Sequence, residues 1–231
     1  LAVCGSAGMG GAALLAGVGA LKTGAGLVTL GVPRCLRDAY ITLAPELMTL
    51  SPETGGTQYF SEVHAAELLA ATAERNALVV GCGLGRHAET GPFVSALLGG
   101  WRGPLLIDAD GLFHLRSAEL AGLKQRSTPA VLTPHPGELS RLAGLTREEI
   151  ATDRVVVARR LAQQWGVVLV LKGAGTVIAS PHGEAFINPT GDAGLASGGT
   201  GDVLSGIIGS LLAQGLPSLH AALLGAYIHG L

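Results

Sequence analysis

Short runs of consecutive apolar residues, each closed by glycine or proline, alternate along the chain with longer segments in which apolar positions recur every three to four residues. The first pattern suits strands buried on both faces and the second suits helices with one buried stripe, so the alternation predicts a parallel sheet with crossover helices. Strands are expected over 1–4 (LAVC), 27–32 (LVTLGV), 77–81 (ALVVG), 104–108 (PLLID), 130–134 (AVLTP) and 167–172 (VVLVLK). Helices are expected over 11–22, 61–75, 90–99, 136–143, 147–165 and 201–214, with a further helical segment at the end of the chain. Thr146 and Glu149 have capping-box spacing and mark the start of the helix at 147–165. Residues 176–188 break the rhythm: two short stretches around Pro181-His182-Gly183 read as an antiparallel hairpin added to the parallel sheet. Residues 49–60 read as a loop. No linker, repeat or low-complexity tract divides the sequence, so one domain over 1–231 is expected, with terminal segments missing because the sequence begins at Leu1 inside a strand.

Composition narrows the class. Hydrophobic residues make up 48% and aromatic ones 4%, so the core must be built from Ala, Val, Leu and Ile. A net charge of −2 without a block of Lys or Arg lacks the electrostatic footprint of a nucleic-acid binder. Residues 2–21 carry no charge, but six glycines and a serine interrupt them and no basic segment precedes them. A strand, loop and helix fit that stretch better than a membrane span or signal peptide, and a cytoplasmic protein is expected. Cys4, Cys35 and Cys82 are odd in number, lack metal-ligand spacing, and read as reduced packing residues.

The chemistry gathers where the expected strands end. GCGLG (81–85), DADG (108–111), TPHPGE (133–138) and KGAGT (172–176) each follow a strand, and in open α/β sheets ligands bind beyond the carboxyl ends. GVGALKTG (17–24) fails as a phosphate-binding loop because Leu21 precedes Lys22 and the segment lies within a helix. GCGLG lacks the dinucleotide spacing. GSAGMGG (5–11) is either a tight connection or an anion site formed by exposed amides and the following helix. Asp108 and Asp110 either cap a helix or hold Mg²⁺ through water. His135 is fixed between two prolines and Glu138 opens a helix; both are loop and first-turn residues that also face the crevice. Lys172 ends the most hydrophobic strand and must reach water or meet a buried anion, while Gly173 and Gly175 let phosphate or adenine approach the backbone. Residues 188–209 (NPTGDAGLASGGTGDVLSGIIG) hold seven glycines before an apolar helix. Bare amides ahead of a helix N-terminus form an anion hole, and Asp202 within it is either a cap or the base that phosphoryl transfer needs.

Taken in order, GSAGMGGAALLAG, VVGCGLG, LLIDADGL, LTPHPGELSRL, LKGAGT and the 188–209 stretch resemble the ADP/ATP-dependent NAD(P)H-hydrate dehydratases of the ribokinase-like superfamily across nearly the whole chain. The resemblance implies a three-layer αβα sandwich with a mostly parallel central sheet and an appended antiparallel hairpin. It implies phosphorylation of the C6 hydroxyl of hydrated NADH or NADPH by ADP or ATP, then loss of phosphate. Asp202 would deprotonate that hydroxyl while the amides around Gly199, Thr200 and Gly201 hold the phosphoryl group. Lys172, Gly173, Ala174, Gly175 and Thr176, with Gly201, would contact the nucleotide; Ala12, Gly83 or Gly85, His135 and Asp202 would line the hydrate site. Glu138 occupies the acidic place of an NxxE-like motif and, with Asp108, would organise Mg²⁺; His135 stands where that motif has asparagine. The resemblance further implies a homotetramer and fusion or coupling to an epimerase. A kinase of the same architecture acting on a heterocyclic alcohol such as hydroxyethylthiazole shares Asp202 and the anion hole. A non-catalytic nucleotide-binding module does not account for an intact Asp202.

Overall fold

A computed structural model describes residues 1–53 and 58–231. The strands are β1 (Ala2–Val3), β2 (Thr29–Gly31), β3 (Met48–Leu50), β4 (Leu78–Val80), β5 (Leu105–Ile107), β6 (Val131–Leu132), β7 (Val168–Leu171), β8 (Val177–Ala179) and β9 (Ala185–Ile187). They form one sheet in the order β3-β2-β1-β4-β5-β6-β7-β8-β9. β1 to β7 pair in parallel, and β8 and β9 add antiparallel as the expected hairpin.

The helices are α1 (Gly10–Lys22), α2 (Arg37–Leu43), α3 (Ala65–Ala70), α4 (Thr90–Gly100), α5 (Ala109–His114), α6 (Ser117–Lys124), α7 (Pro136–Ala143), α8 (Arg147–Thr152), α9 (Arg154–Trp165), α10 (Thr200–Ala213) and α11 (Ser218–Gly230). Alternate strand residues feed two cores. Leu78, Val80, Leu105 and Ile107 pack with Phe93, Leu97, Leu161 and Trp165 from α4 and α9. Val79, Leu106, Val168 and Val170 pack with Ala13, Ala16, Leu204, Ile208 and Ala222 from α1, α10 and α11. The result is three layers, the arrangement a sheet with two apolar faces requires. Among the described residues no helix is long and apolar enough to cross a membrane.

Small residues let α10 lie directly on α1. A Cβ on Gly19 would stand 2.8 Å from the Val203 carbonyl oxygen, and one on Gly206 would collide with the Ala16 backbone. This close contact sets where the N-terminus of α10 emerges, at the carboxyl end of the sheet.

The expected helix at 61–75 is broken. Short 3₁₀ turns at Glu62–His64 and Ala71–Glu74 flank α3, because the Ser61 amide donates to His64 Nδ1 (2.9 Å) and the Thr72 hydroxyl donates to the Leu69 carbonyl (2.6 Å). The helix expected at 147–165 is two helices. Asp153 leaves helical geometry (φ −152°) and accepts the Val156 amide at 2.9 Å, which starts α9 afresh. The Thr146–Glu149 capping box is present. β3 overlaps the start of the stretch expected as loop, whose positions 54–57 lie outside the described residues. This three-residue edge strand and the short α2, α5 and α6 carry too little periodicity to stand out in the sequence.

Candidate active site

The ends of β1, β4, β5, β6 and β7 meet in one crevice, and the N-terminus of α10 closes it. Parallel pairing forces this: the Gly81 amide donates to the Val3 carbonyl (3.1 Å), the Asp108 amide to Val80 (3.0 Å) and the Lys172 amide to Pro134 (2.9 Å). Consecutive strand ends are thereby stitched side by side.

Asp108 is the buried centre, with 1% of its surface exposed. Although it occupies the position before α5, its side chain makes no cap hydrogen bond. Instead Lys172 Nζ donates to Oδ1 at 2.8 Å and the Ser205 hydroxyl donates to Oδ2 at 2.7 Å. The buried anion that a lysine at the end of a hydrophobic strand requires is therefore Asp108. Lys172 Nζ also lies 3.9 Å from Glu138 Oε2. Burial works against the charged ammonium, but the Asp108 and Glu138 carboxylates outweigh it and hold its pKa above the ordinary lysine value.

Gly199 precedes α10 with φ 93° and no side-chain cap. The Thr200 hydroxyl turns back towards the Leu195 and Ser197 carbonyls (2.8 and 3.0 Å). Among the described residues the amides of Gly198, Gly199, Thr200 and Gly201 have no backbone acceptor. These donors stand at the positive end of a 14-residue helix, an arrangement suited to an anion. A Cβ on Gly201 would lie 3.4 Å from Lys172 Nζ and 3.8 Å from Asp108 Oδ2, so glycine keeps the space between them free.

Asp202 sits in the first turn of α10 and caps none of its amides among the described residues. Burial is the main cause that raises its pKa, and the negative Asp108 and Asp110 raise it further; a hydrogen bond with the Cys82 thiol and the charge of Lys172 oppose them. Cys82 and Cys4 are free thiols, and hydrogen bonding to Cys4 together with burial pushes the Cys82 thiol well up and keeps it neutral.

His135 and Glu138 form a reciprocal box at the start of α7. The Gly137 and Glu138 amides donate to His135 Nδ1 (3.0 and 3.3 Å), and the His135 amide donates to Glu138 Oε2 (2.8 Å). Both side chains therefore serve the helix while Glu138 faces Lys172.

Ala12 and Gly83 meet: a Cβ on Gly83 would stand 2.9 Å from Ala12 Cβ. The Gly85 amide donates to Asp110 Oδ2 (3.0 Å), Arg86 donates to Oδ1 (3.0 Å), and the Ser6 hydroxyl donates to the Gly83 carbonyl (2.9 Å). The amides of Gly5, Ala7 and Met9 are spent on the carbonyls of Cys82, Gln58 and Ser6. Over residues 5–11 the amides of Ser6, Gly8, Gly10 and Gly11 have no backbone acceptor among the described residues, so the stretch is a tight connection at three donors and leaves four open ahead of and within the start of α1. The 172–176 loop is exposed at 173–175 and closed by the Thr176 hydroxyl donating to the Gly173 carbonyl (3.1 Å).

A model of the NAD(P)H-hydrate dehydratase family matches residues 1–231. The chain belongs to this family. It is 47% identical over 231 residues to the bifunctional NAD(P)H-hydrate repair enzyme Nnr of Moorella thermoacetica, covering 100% of this chain and 43% of that protein. It is 42% identical to the ADP-dependent (S)-NAD(P)H-hydrate dehydratase of Neisseria meningitidis, covering 99% and 73% respectively. The structure matches that of the ADP/ATP-dependent NAD(P)H-hydrate dehydratase of Bacillus subtilis, co-crystallised with ATP/Mg²⁺ and soaked with CoA, with a TM-score of 0.80 and 32% identity over 99% of this chain and 79% of that one. The chain thus spans under half of the bifunctional relative and about three quarters of the other two.

Within the dehydratase family frame, three participants escaped the sequence reading: Ser205 and Cys82 contact Asp108 and Asp202, and Arg154 supports the 172–176 loop. Asp110, read there as a cap or a Mg²⁺ holder, accepts from the Gly85 amide and Arg86 and so orders the Gly83–Arg86 turn. Ser205 had a signal, since it lies three residues after Asp202 on the same helix face. The other contacts join distant segments and had none.

Proposed function

We propose that this chain dehydrates the C6-hydrated forms of NADH and NADPH at the expense of ADP or ATP. The observation that carries the reading is Asp202 in the first turn of α10 beside amides with no backbone acceptor among the described residues, with Lys172 held in the same crevice by Asp108. In this reading the amides of Gly199, Thr200 and Gly201 hold the terminal phosphoryl group, and Lys172 with Gly173, Ala174, Gly175 and Thr176 seats the nucleotide. Asp202 takes the proton of the C6 hydroxyl, and the freed oxygen attacks phosphorus in line as the nucleoside phosphate departs. The lone pair of the ring nitrogen then expels phosphate from C6, and loss of a proton from C5 restores the double bond. Hydroxide is a poor leaving group and phosphate a good one, which is why a nucleotide is consumed. Ala12, Gly83, Gly85 and His135 line the hydrate side of the crevice.

Mg²⁺ fits the donor set. Mg²⁺ is held by one or two carboxylates completed by water and substrate phosphates rather than by an all-protein cage. Glu138 would supply such a carboxylate and Asp108, engaged by Lys172 and Ser205, would act at most through water, since among the described residues no group of three or more His, Cys, Asp or Glu side chains is placed to hold a metal alone. Bound there, Mg²⁺ neutralises the charge on the phosphates. The same reading places the reaction in the cytoplasm, in a homotetramer, coupled to an epimerase that interconverts the two hydrate epimers.

The deciding experiment is incubation with hydrated NADH, Mg²⁺ and ADP or ATP in turn. Return of NADH absorbance with release of inorganic phosphate supports dehydration. A stable phosphomonoester formed from a heterocyclic alcohol, with no NADH restored, would replace this reading with a kinase.

A further inference from the structure

Arg154 opens α9, where the helix dipole disfavours a cation. That local mismatch marks a residue held in place by something outside its own helix. Its guanidinium reaches across to the end of β7: Nη1 donates to the Ala174 carbonyl (2.5 Å), and Nη2 donates to those of Leu171 (3.0 Å) and Lys172 (3.2 Å). Its Nε is buried without a partner among the described residues, a cost the chain accepts to keep the head group there. Gly173 makes the approach possible, because its φ is 142° and a Cβ on it would stand 3.0 Å from Arg154 Nη2.

The effect on the loop is directional. With the Lys172 and Ala174 carbonyls, and that of Leu171 at the end of β7, drawn back onto one cation, the loop leaves the amides of Gly173, Ala174 and Gly175 without backbone acceptors among the described residues. A free loop of this composition would sample orientations that point carbonyl oxygens at an incoming phosphate, which repel it. The planar fork of an arginine matches several oxygens at fixed angles, whereas a lysine offers one point charge.

We propose that Arg154 is the positioning residue of the nucleotide site, holding the 172–176 loop with its amides outward. This rests on the reading of 172–176 as the nucleotide-binding segment. The test uses the parent chain, Arg154→Lys and Arg154→Ala, with ADP affinity from calorimetry and amide exchange across 172–176. Both variants should bind ADP at least about tenfold more weakly, with Lys less impaired than Ala. Exchange at 173–175 should quicken, and in turnover the nucleotide KM should rise far more than kcat falls. If Arg154→Ala does not fold, Arg154→Lys decides. A lower melting temperature with ADP affinity within about twofold of the parent, or exchange at 173–175 left as it was, would overturn the inference. A parent chain that binds no adenine nucleotide would overturn the nucleotide-site reading and the inference with it; a parent that binds ADP but restores no NADH would remove the proposed reaction alone.

Discussion

Two glycine-rich regions face each other across the crevice, and they spend their backbone donors differently. On the β1–β4 side, the amides of Gly5, Ala7, Met9, Leu84 and Gly85 find protein acceptors and those of Ser6, Gly8, Gly10 and Gly11 find no backbone acceptor among the described residues, so the loop there is partly spent on its own turns. On the β7–α10 side, the amides at 173–175 and 198–201 find no backbone acceptor among the described residues, and Lys172 lies between them. Glycine content alone therefore does not make an anion site. What matters is whether the chain itself consumes the N–H groups that glycine exposes.

The largest expected effect lies on the β7–α10 side. Asp202→Asn keeps the shape of the side chain but cannot accept a proton, so turnover should fall by about 100 to 10,000-fold. A carboxyl whose folded-state pKa is raised contributes stability below its unfolded pKa and loses it as pH rises through the folded value; at neutral pH the charged Asp202 is therefore a cost. The variant should accordingly melt no lower than the parent by calorimetry at neutral pH. A lower melting temperature with activity retained would return Asp202 to a structural role. The same raised pKa predicts that the acid limb of the parent's pH–rate profile lies above the ordinary aspartate range.

Gly201→Ala comes next. Its φ is not positive, so alanine fits the helix and adds roughly 0.5–1 kcal/mol of stability, while its Cβ enters the space 3.4 Å from Lys172 Nζ. ADP should bind about tenfold more weakly. Unchanged ADP affinity would mean that the open amides are not where the phosphate sits. Glu138→Gln retains hydrogen bonding at the start of α7 but removes a hard anionic ligand, so the Mg²⁺ concentration for half-maximal rate should rise several-fold. An unaltered Mg²⁺ titration would take Glu138 out of that role.

The smallest functional effect belongs to the other region. Gly8→Ala meets no atom within 4 Å but sits at φ 84°, so it should cost about 1–2 kcal/mol of stability and leave ADP affinity as it was. Weakened ADP binding in that variant would break the distinction between the two loops.

How much of this was legible beforehand differs by feature. The parallel strands other than β3, and the 176–188 hairpin, were, because continuous apolar runs of four to six residues have few other homes. The breaks at Ser61, Thr72 and Asp153 were not, since one polar side chain turning back on the backbone leaves the apolar period intact. Asp202 and the glycines around it were visible as a contiguous pattern.

By itself, then, the sequence determined the layers, the crevice at the strand ends and the residue types that fill it, because periodicity and contiguous motifs are local properties. Only the tertiary structure decided that Asp108 serves Lys172 and Ser205, that the amides of Gly5 and Ala7 are spent on Cys82 and Gln58, and that Arg154 crosses to the β7 loop. Those outcomes depend on partners 17 to 97 residues away, and no local pattern encodes which distant donor reaches a given acceptor.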